Sequence, residues 1–268
     1  MFKFIRLLEI NIILSTLCFG SFEKTGIGAA SVGLSLSGAA SSFNTFSIFS
    51  NPAGMLPANK LDLFYRNHFG IKGFDQMALA VVTPFFQTPV GFGLLRNGNN
   101  IYSETEIITG LTHWFSEKVS AAFSFSFYHL EIKNYGNAAT FGLSISFLYK
   151  INDQINIAAV ATNINEPAIG EAKQSIPASG LIAISYKPLR DVEILIDTYK
   201  EDFYDFEYRI GSRIKAVEFL NFLCGFQQNL NSFSAGLEFI NSGYGLFYAI
   251  DIHPVLNVSQ ALGFSYEF

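Results

Sequence analysis

The chain has 268 residues, half of them hydrophobic and only 15% charged, with 29 Phe, 12 Tyr and 22 Gly. Soluble domains carry about 25% charged residues, so much of this surface must face something other than water. The formal charge of −5 excludes a basic face for nucleic acid, and two cysteines, Cys18 and Cys224, exclude a disulfide framework.

The N-terminus reads as a secretory signal peptide, residues 1–20. Lys3 and Arg6 give a short positive region, Leu7–Phe19 is mostly apolar apart from Glu9, and the small residues Gly20 and Ser21 follow. Cleavage after Gly20 removes Lys3, Arg6 and Glu9, so 17 basic and 22 acidic residues become 15 and 21. Beyond this segment no stretch approaches the roughly 20 consecutive apolar residues of a membrane helix.

Residues 21–58 form a second unit. The run KTGIGAASVGLSLSGAASSFNTFSIFSNPAGMLPA (24–58) is rich in Gly, Ala and Ser and closes on Asn51, Pro52, Ala53 and Gly54. It is too apolar for a disordered tail, and its side chains are too small to build a core. Insertion into the lumen of a barrel would resolve both problems, and the segment is expected to act as a hatch.

Residues 59–268 alternate with period two between turn residues, the pattern of half-buried strands. In Ala121–Tyr128, Phe123, Phe125 and Phe127 share one face and Ser124 and Ser126 the other; Phe141–Lys150 repeats the arrangement. The less apolar face is mainly Gly, Ser and Ala with scattered charges. That suits a crowded barrel interior, while aromatics near strand ends, such as Tyr65, Trp114, Tyr149, Tyr186 and Tyr266, suit interfacial girdles. The expected fold is an all-β transmembrane antiparallel barrel of about 14 strands with the hatch in its lumen. Strands should begin near Lys60, Phe74, Pro89, Ile101, Val119, Ala138, Ile155, Ala178, Asp191, Asp205, Glu218, Ser232, Tyr244 and Val258. An even number returns both ends to the periplasmic side, and the longest connection, Asn163–Pro177, then lies outside the cell.

Chemistry is sparse. The histidines, His68, His113, His129 and His253, occur in no hydrolase or zinc motif, so neither an enzyme, a cofactor nor a metal site is expected. Asp251 and His253 sit two residues apart on one strand face and are read as a lumen-facing polar pair at the outer end of the strand, part of the lumen charge network. Glu193, Asp197, Glu207, Arg209 and Arg213 all fall on the inner face. Asp62, Arg66 and His68 on the first strand, with Glu238 and Asp251, could extend them into one lumen charge network. Its role is either structural, tying wall to hatch, or that of a solute-selective constriction.

In the final strand, Leu262, Phe264, Tyr266 and the terminal Phe268 alternate with Ala261, Gly263, Ser265 and Glu267. That pattern resembles the signal read by the outer-membrane assembly machinery. The Gly26–Gly54 segment with its Asn51-Pro52-Ala53-Gly54 ending resembles the PorV/PorQ family of outer-membrane proteins, related in fold to the FadL transporters. So do Ala161-Thr162-Asn163-Ile164 running into Glu166-Pro167, and Tyr248-Ala249 followed by His253-Pro254 before the last strand. The resemblance implies a barrel in the outer membrane of a Gram-negative-type bacterium that serves protein secretion of the type IX kind or surface assembly. Its implied partners are outer-membrane lipid, secretion components and cargo. A FadL-like channel for small hydrophobic molecules is the alternative, although large external insertions of the FadL kind are missing.

Overall fold

The computed structural model describes residues 21–23, 25–41, 45–202 and 204–268; the expected signal peptide lies outside them. The wall opens with β1 (Lys60–Asn67), β2 (Asp75–Phe85), β3 (Thr88–Gly98), β4 (Tyr102–Trp114), β5 (Val119–Ile132), β6 (Gly136–Lys150) and β7 (Ile155–Thr162). A two-stranded hairpin, β8 (Ala168–Ile169) with β9 (Gln174–Ser175), occupies the next connection. The wall then resumes with β10 (Ser179–Leu189), β11 (Val192–Glu201), β12 (Glu207–Val217), β13 (Leu220–Gln227), β14 (Ser232–Asn241), β15 (Tyr244–Ile252) and β16 (Val258–Glu267).

Fourteen of these strands form one closed antiparallel barrel in which each pairs with its sequence neighbours, β7 with β10 across the hairpin. β1 closes against β16 in unbroken register from Lys60↔Glu267 to Asn67↔Gln260. Closure matters because lipid offers no hydrogen-bond partner for an unpaired strand edge. The end bearing Lys60 and Glu267 is called the terminal end here, the opposite one the distal end. Connections at the terminal end are tight. Ser242 and Gly243 between β14 and β15 have φ of 49° and 84°, the paired left-handed conformation whose twist matches a two-residue hairpin.

Alternation sorts the two faces. Phe123, Phe125 and Phe127 point outward at 39–44% exposure, while Ser124 and Ser126 are buried inside. The same outward series includes Ile182, Ile184, Tyr208, Ile210, Leu237 and Leu262, an apolar surface of the membrane-facing kind. Cys224 also lies exposed on this surface.

The hatch fills the lumen. Helix α1 (Ala29–Gly33), helix α2 (Ser47–Ser50) and a 3-10 turn at Pro52–Gly54 carry its few regular residues, and irregular backbone needs partners. The inner serines and threonines provide them. Thr112 Oγ1 donates to Pro52 O at 2.6 Å, Ser120 Oγ donates to Ala53 O at 2.7 Å, and Ser146 Oγ accepts from Ala53 N at 3.0 Å. Asn51 makes the motif rigid: its Oδ1 accepts from Ala53 N at 3.1 Å and its Nδ2 donates to Ala39 O at 2.6 Å. Apolar contacts complete the fit, with Val32, Phe46, Ile48, Phe49 and Met55 packed on Phe64, Ala80, Val82 and Ile108 of the wall.

Where the hatch backbone at Leu34 presses on the wall, the wall residues are glycines, Gly211 and Gly225. A Cβ on Gly225 would stand 2.5 Å from the carbonyl carbon of Leu34, whereas one on Gly180 would meet nothing within 4 Å. Gly225→Ala should therefore cost about 1–3 kcal/mol of overpacking and speed proteolysis of the hatch, with Gly180→Ala as a neutral control. On the outer face, Phe125→Arg near the middle of β5 should cost about 2–4 kcal/mol in lipid vesicles. The same change at Tyr135, a turn residue 89% exposed, should cost almost nothing; equal unfolding midpoints for the two would contradict the assigned lipid face.

Candidate functional site

Between the hatch and the wall, towards the distal end, lies a cavity of about 110 Å³. The hatch gives it an apolar floor of Ile27, Leu34, Phe46 and Phe49, and the wall adds Leu95, Val160 and Leu181. Polar groups stand among them: Tyr128 on β5, Asp197, Tyr199 and Glu201 on β11, and Arg209 on β12.

The roof is the connection Asn163–Pro177. Instead of extending outward it folds over the lumen, burying Ile169 and Ile176 with Tyr128 against Phe22, Leu130 and Ala138. The Phe22 and Tyr128 rings lie 4.9 Å apart. Asn163 locks the roof down, its Oδ1 accepting from Tyr128 Oη at 2.9 Å and its Nδ2 donating to Pro177 O at 2.8 Å. Ser21 Oγ donates to Gln174 Oε1 at 3.0 Å, tying the start of the hatch to the same roof.

The roof also repairs the sheet. β7 is short and pairs with β6 only from Ile145↔Ala161 to Lys150↔Asn156, leaving the distal half of β6 without a strand neighbour on that side. Ile164 N donates to Leu143 O at 2.9 Å, Leu143 N to Asn165 Oδ1 at 2.8 Å, and Asn165 Nδ2 to Phe141 O at 3.0 Å.

The expected lumen charges are inside, but they divide into separate clusters. Arg213 donates to Glu193 at 2.8 Å and to Glu238 at 3.0 Å, joining β11 to β14. Ser41 Oγ of the hatch donates to Glu193 at 3.2 Å, so this cluster does tie wall to hatch. Arg209 pairs with Glu207, which also accepts from Gln227 at 2.9 Å, and its guanidinium lies 4.4 Å from the Tyr199 ring centre. Asp197 Oδ2 accepts from the backbone N–H groups of Gly38 and Ala39, each at 3.1 Å. Asp62 accepts from Thr45 N at 3.2 Å. At the distal end Arg66 donates to Asp251 at 2.8 Å and to Thr25 O at 2.9 Å.

The two histidine placements differ from expectation. β15 ends at Ile252, and His253 turns into the following loop, where its Nδ1 accepts from Val255 N at 3.2 Å and Leu256 N at 3.0 Å. Capping its own loop is the nearer option for a side chain just past a strand end, so it forms no pair with Asp251. β1 ends at Asn67, and His68 starts the connection to β2 with its ring 4.9 Å from Phe74. Tyr128 and Tyr199, which line the cavity, and Ile169 and Ile176, which pack its roof, are not singled out by the sequence, and Asn163 is singled out only as part of a motif. The phase of β5 alone, with Phe123, Phe125 and Phe127 outward, puts Tyr128 inside.

Burial and the adjacent Arg66 charge push the His68 imidazole down from 6.5 to about 3. The folded value lies below the unfolded one, so the stability it supports is complete above about pH 6.5 and is lost as pH falls towards 3. Wild type should therefore lose more stability than His68→Gln between pH 7 and pH 4 in unfolding titrations; parallel losses would remove His68 as the cause.

No protein-family model and no curated protein matches the sequence. Solved structures do match. The Pseudomonas putida toluene transporter TodX aligns at a TM-score of 0.68 and 12% identity over 93% of this chain and 99% of its own. The CymD monoaromatic hydrocarbon channel gives 0.66 and 13% over 92% and 99%. A Pseudomonas aeruginosa FadL homologue gives 0.63 and 9% over 90% and 98%. At such identities the likeness concerns architecture, and the fold of this chain is that of the FadL-like hydrocarbon channels.

Proposed function

We propose that the protein is a FadL-like channel for small hydrophobic solutes in the outer membrane of a Gram-negative-type bacterium. The carrying observation is the cavity: floored by the apolar hatch side chains Ile27, Leu34, Phe46 and Phe49, roofed by a folded connection, and enclosed by a barrel whose outer surface suits lipid. A site of this kind holds a solute by burial and orients it with a few polar groups. The likeness to channels described as carrying toluene and monoaromatic hydrocarbons supports the same reading. The small volume of about 110 Å³ excludes a long acyl tail; an engineered apolar cavity that binds benzene measures about 150 Å³, which makes a single ring or a short chain the largest body this one would take without adjustment.

The secretion role implied by the PorV/PorQ resemblance ranks second. Presentation of loops to protein partners needs exposed recognition surface, whereas the longest connection spends Ile169 and Ile176 on the roof.

Cells expressing the barrel should take up labelled toluene several-fold faster than cells without it. Leu181→Trp, which fills the cavity from β10, should return uptake to background while the barrel keeps its heat-modifiable migration. Uptake no faster than in barrel-free cells would sink the channel reading.

A further inference from the structure

The ionisable side chains around the cavity are unevenly distributed. Four carboxylates line it, Glu23, Glu106, Asp197 and Glu201, against two guanidiniums, Arg209 and Arg213. Both guanidiniums are committed to carboxylates outside the lining: Arg213 to Glu193 and Glu238, Arg209 to Glu207. An incoming anion therefore meets cations already neutralised by close partners, and carboxylates on the opposite walls of β4 and β11. In a medium less polar than water that repulsion is screened weakly.

Hydrogen-bonding capacity is biased in the same direction. Asp197 is fully buried, with 0% exposure, and uses Oδ2 to hold the hatch backbone. Its Oδ1 has no hydrogen-bond partner among the described residues, and neither does Asn97 Oδ1 across the cavity. The Tyr128 and Tyr199 hydroxyls spend their protons on Asn163 and Glu201, so what they still offer is lone pairs. Among the described residues, the buried side-chain atoms of the lining left without a hydrogen-bond partner are all acceptors: Asp197 Oδ1, Asn97 Oδ1 and Gln76 Oε1. Buried acceptors gain most from a ligand that brings N–H or O–H groups.

We propose that this cavity binds a small apolar body bearing a hydrogen-bond donor or a positive charge, such as an aryl or short alkyl amine or alcohol, and rejects carboxylates of the same shape. The donor end meets Asp197 and Glu201, and the apolar end rests on Phe46, Phe49 and Leu181. The selectivity rests on the solute-channel reading for its biological use, but as a binding preference it is measured without transport.

The test is equilibrium binding of benzylamine, benzyl alcohol and benzoate to the purified barrel in a neutral detergent, by calorimetry at pH 7. These probes share one ring and differ at one substituent. Benzylamine should bind at least tenfold more tightly than benzoate, with benzyl alcohol between them. Glu201→Gln and Asp197→Asn should each reduce that ratio several-fold. Asp197→Asn disturbs a hatch contact, so if it fails to fold, Glu201→Gln decides. Benzoate binding as tightly as benzylamine, saturable binding of neither amine nor alcohol, or an unchanged ratio in folded Glu201→Gln would each overturn the proposal. Amine-selective binding without toluene uptake by cells removes the channel reading and leaves the site. Uptake with benzoate bound equally well removes only the selectivity.

Discussion

Everything in this molecule follows from the closure of β1 on β16. A sheet in lipid cannot leave N–H and C=O groups unpaired, and the register from Lys60↔Glu267 to Asn67↔Gln260 removes the edge. Once closed, fourteen strands enclose a lumen that their own small side chains do not fill. Ser124, Ser126, Gly225 and Gly236 leave space where larger residues would have met across the barrel. The hatch occupies that space, and its irregular backbone is satisfied by the small polar residues that made room for it. Wall and hatch are thus two halves of one packing solution.

The cavity is what this solution leaves over. The hatch sits tightest at the terminal end, where Thr112, Ser120 and Ser146 grip Pro52 and Ala53. Along β13 and β14 it fits closely too, with Leu34 lodged on Gly225. Towards the distal end the wall carries larger groups, Tyr128, Tyr199 and Glu201, around the first hatch residues. Space remains between them, lined by apolar hatch side chains and by wall acceptors that lack partners among the described residues.

Much of the barrel could be read from the sequence because period-two alternation records which face meets lipid. Phe123-Ser124-Phe125-Ser126-Phe127 leaves no other assignment once the surface is known to avoid water. The inward position of Glu193, Asp197, Glu207, Arg209 and Arg213 came from the same phase. What alternation does not encode is how inward residues combine. Arg213 reaches past β13 to Glu238, and Asp197 takes backbone partners from the hatch although Arg209 stands opposite it in register. Those choices depend on side-chain reach and on where the hatch lies. His253 shows a second limit: one residue beyond a strand end, local capping displaces the strand-face neighbour. The roof was least legible, since Ile169 and Ile176 follow no strand period and read as surface loop.

The roof is held unequally. Along β6 its bonds to Phe141 and Leu143 through Asn165 are exposed at the distal end, where water replaces a lost partner and each net contribution is about 0.5–1.5 kcal/mol. Over the lumen its anchor is buried: Tyr128 to Asn163, Asn163 to Pro177, and Ile169 and Ile176 under Phe22. Releasing that side would expose apolar surface and strand polar groups together. The edge at β6 is therefore the weaker hold on the roof and the buried Tyr128–Asn163 contact the stronger one. Because Asn163 follows directly on Thr162, the last residue of β7, the residue just past the short strand is also the one that holds the roof to Tyr128 and Pro177.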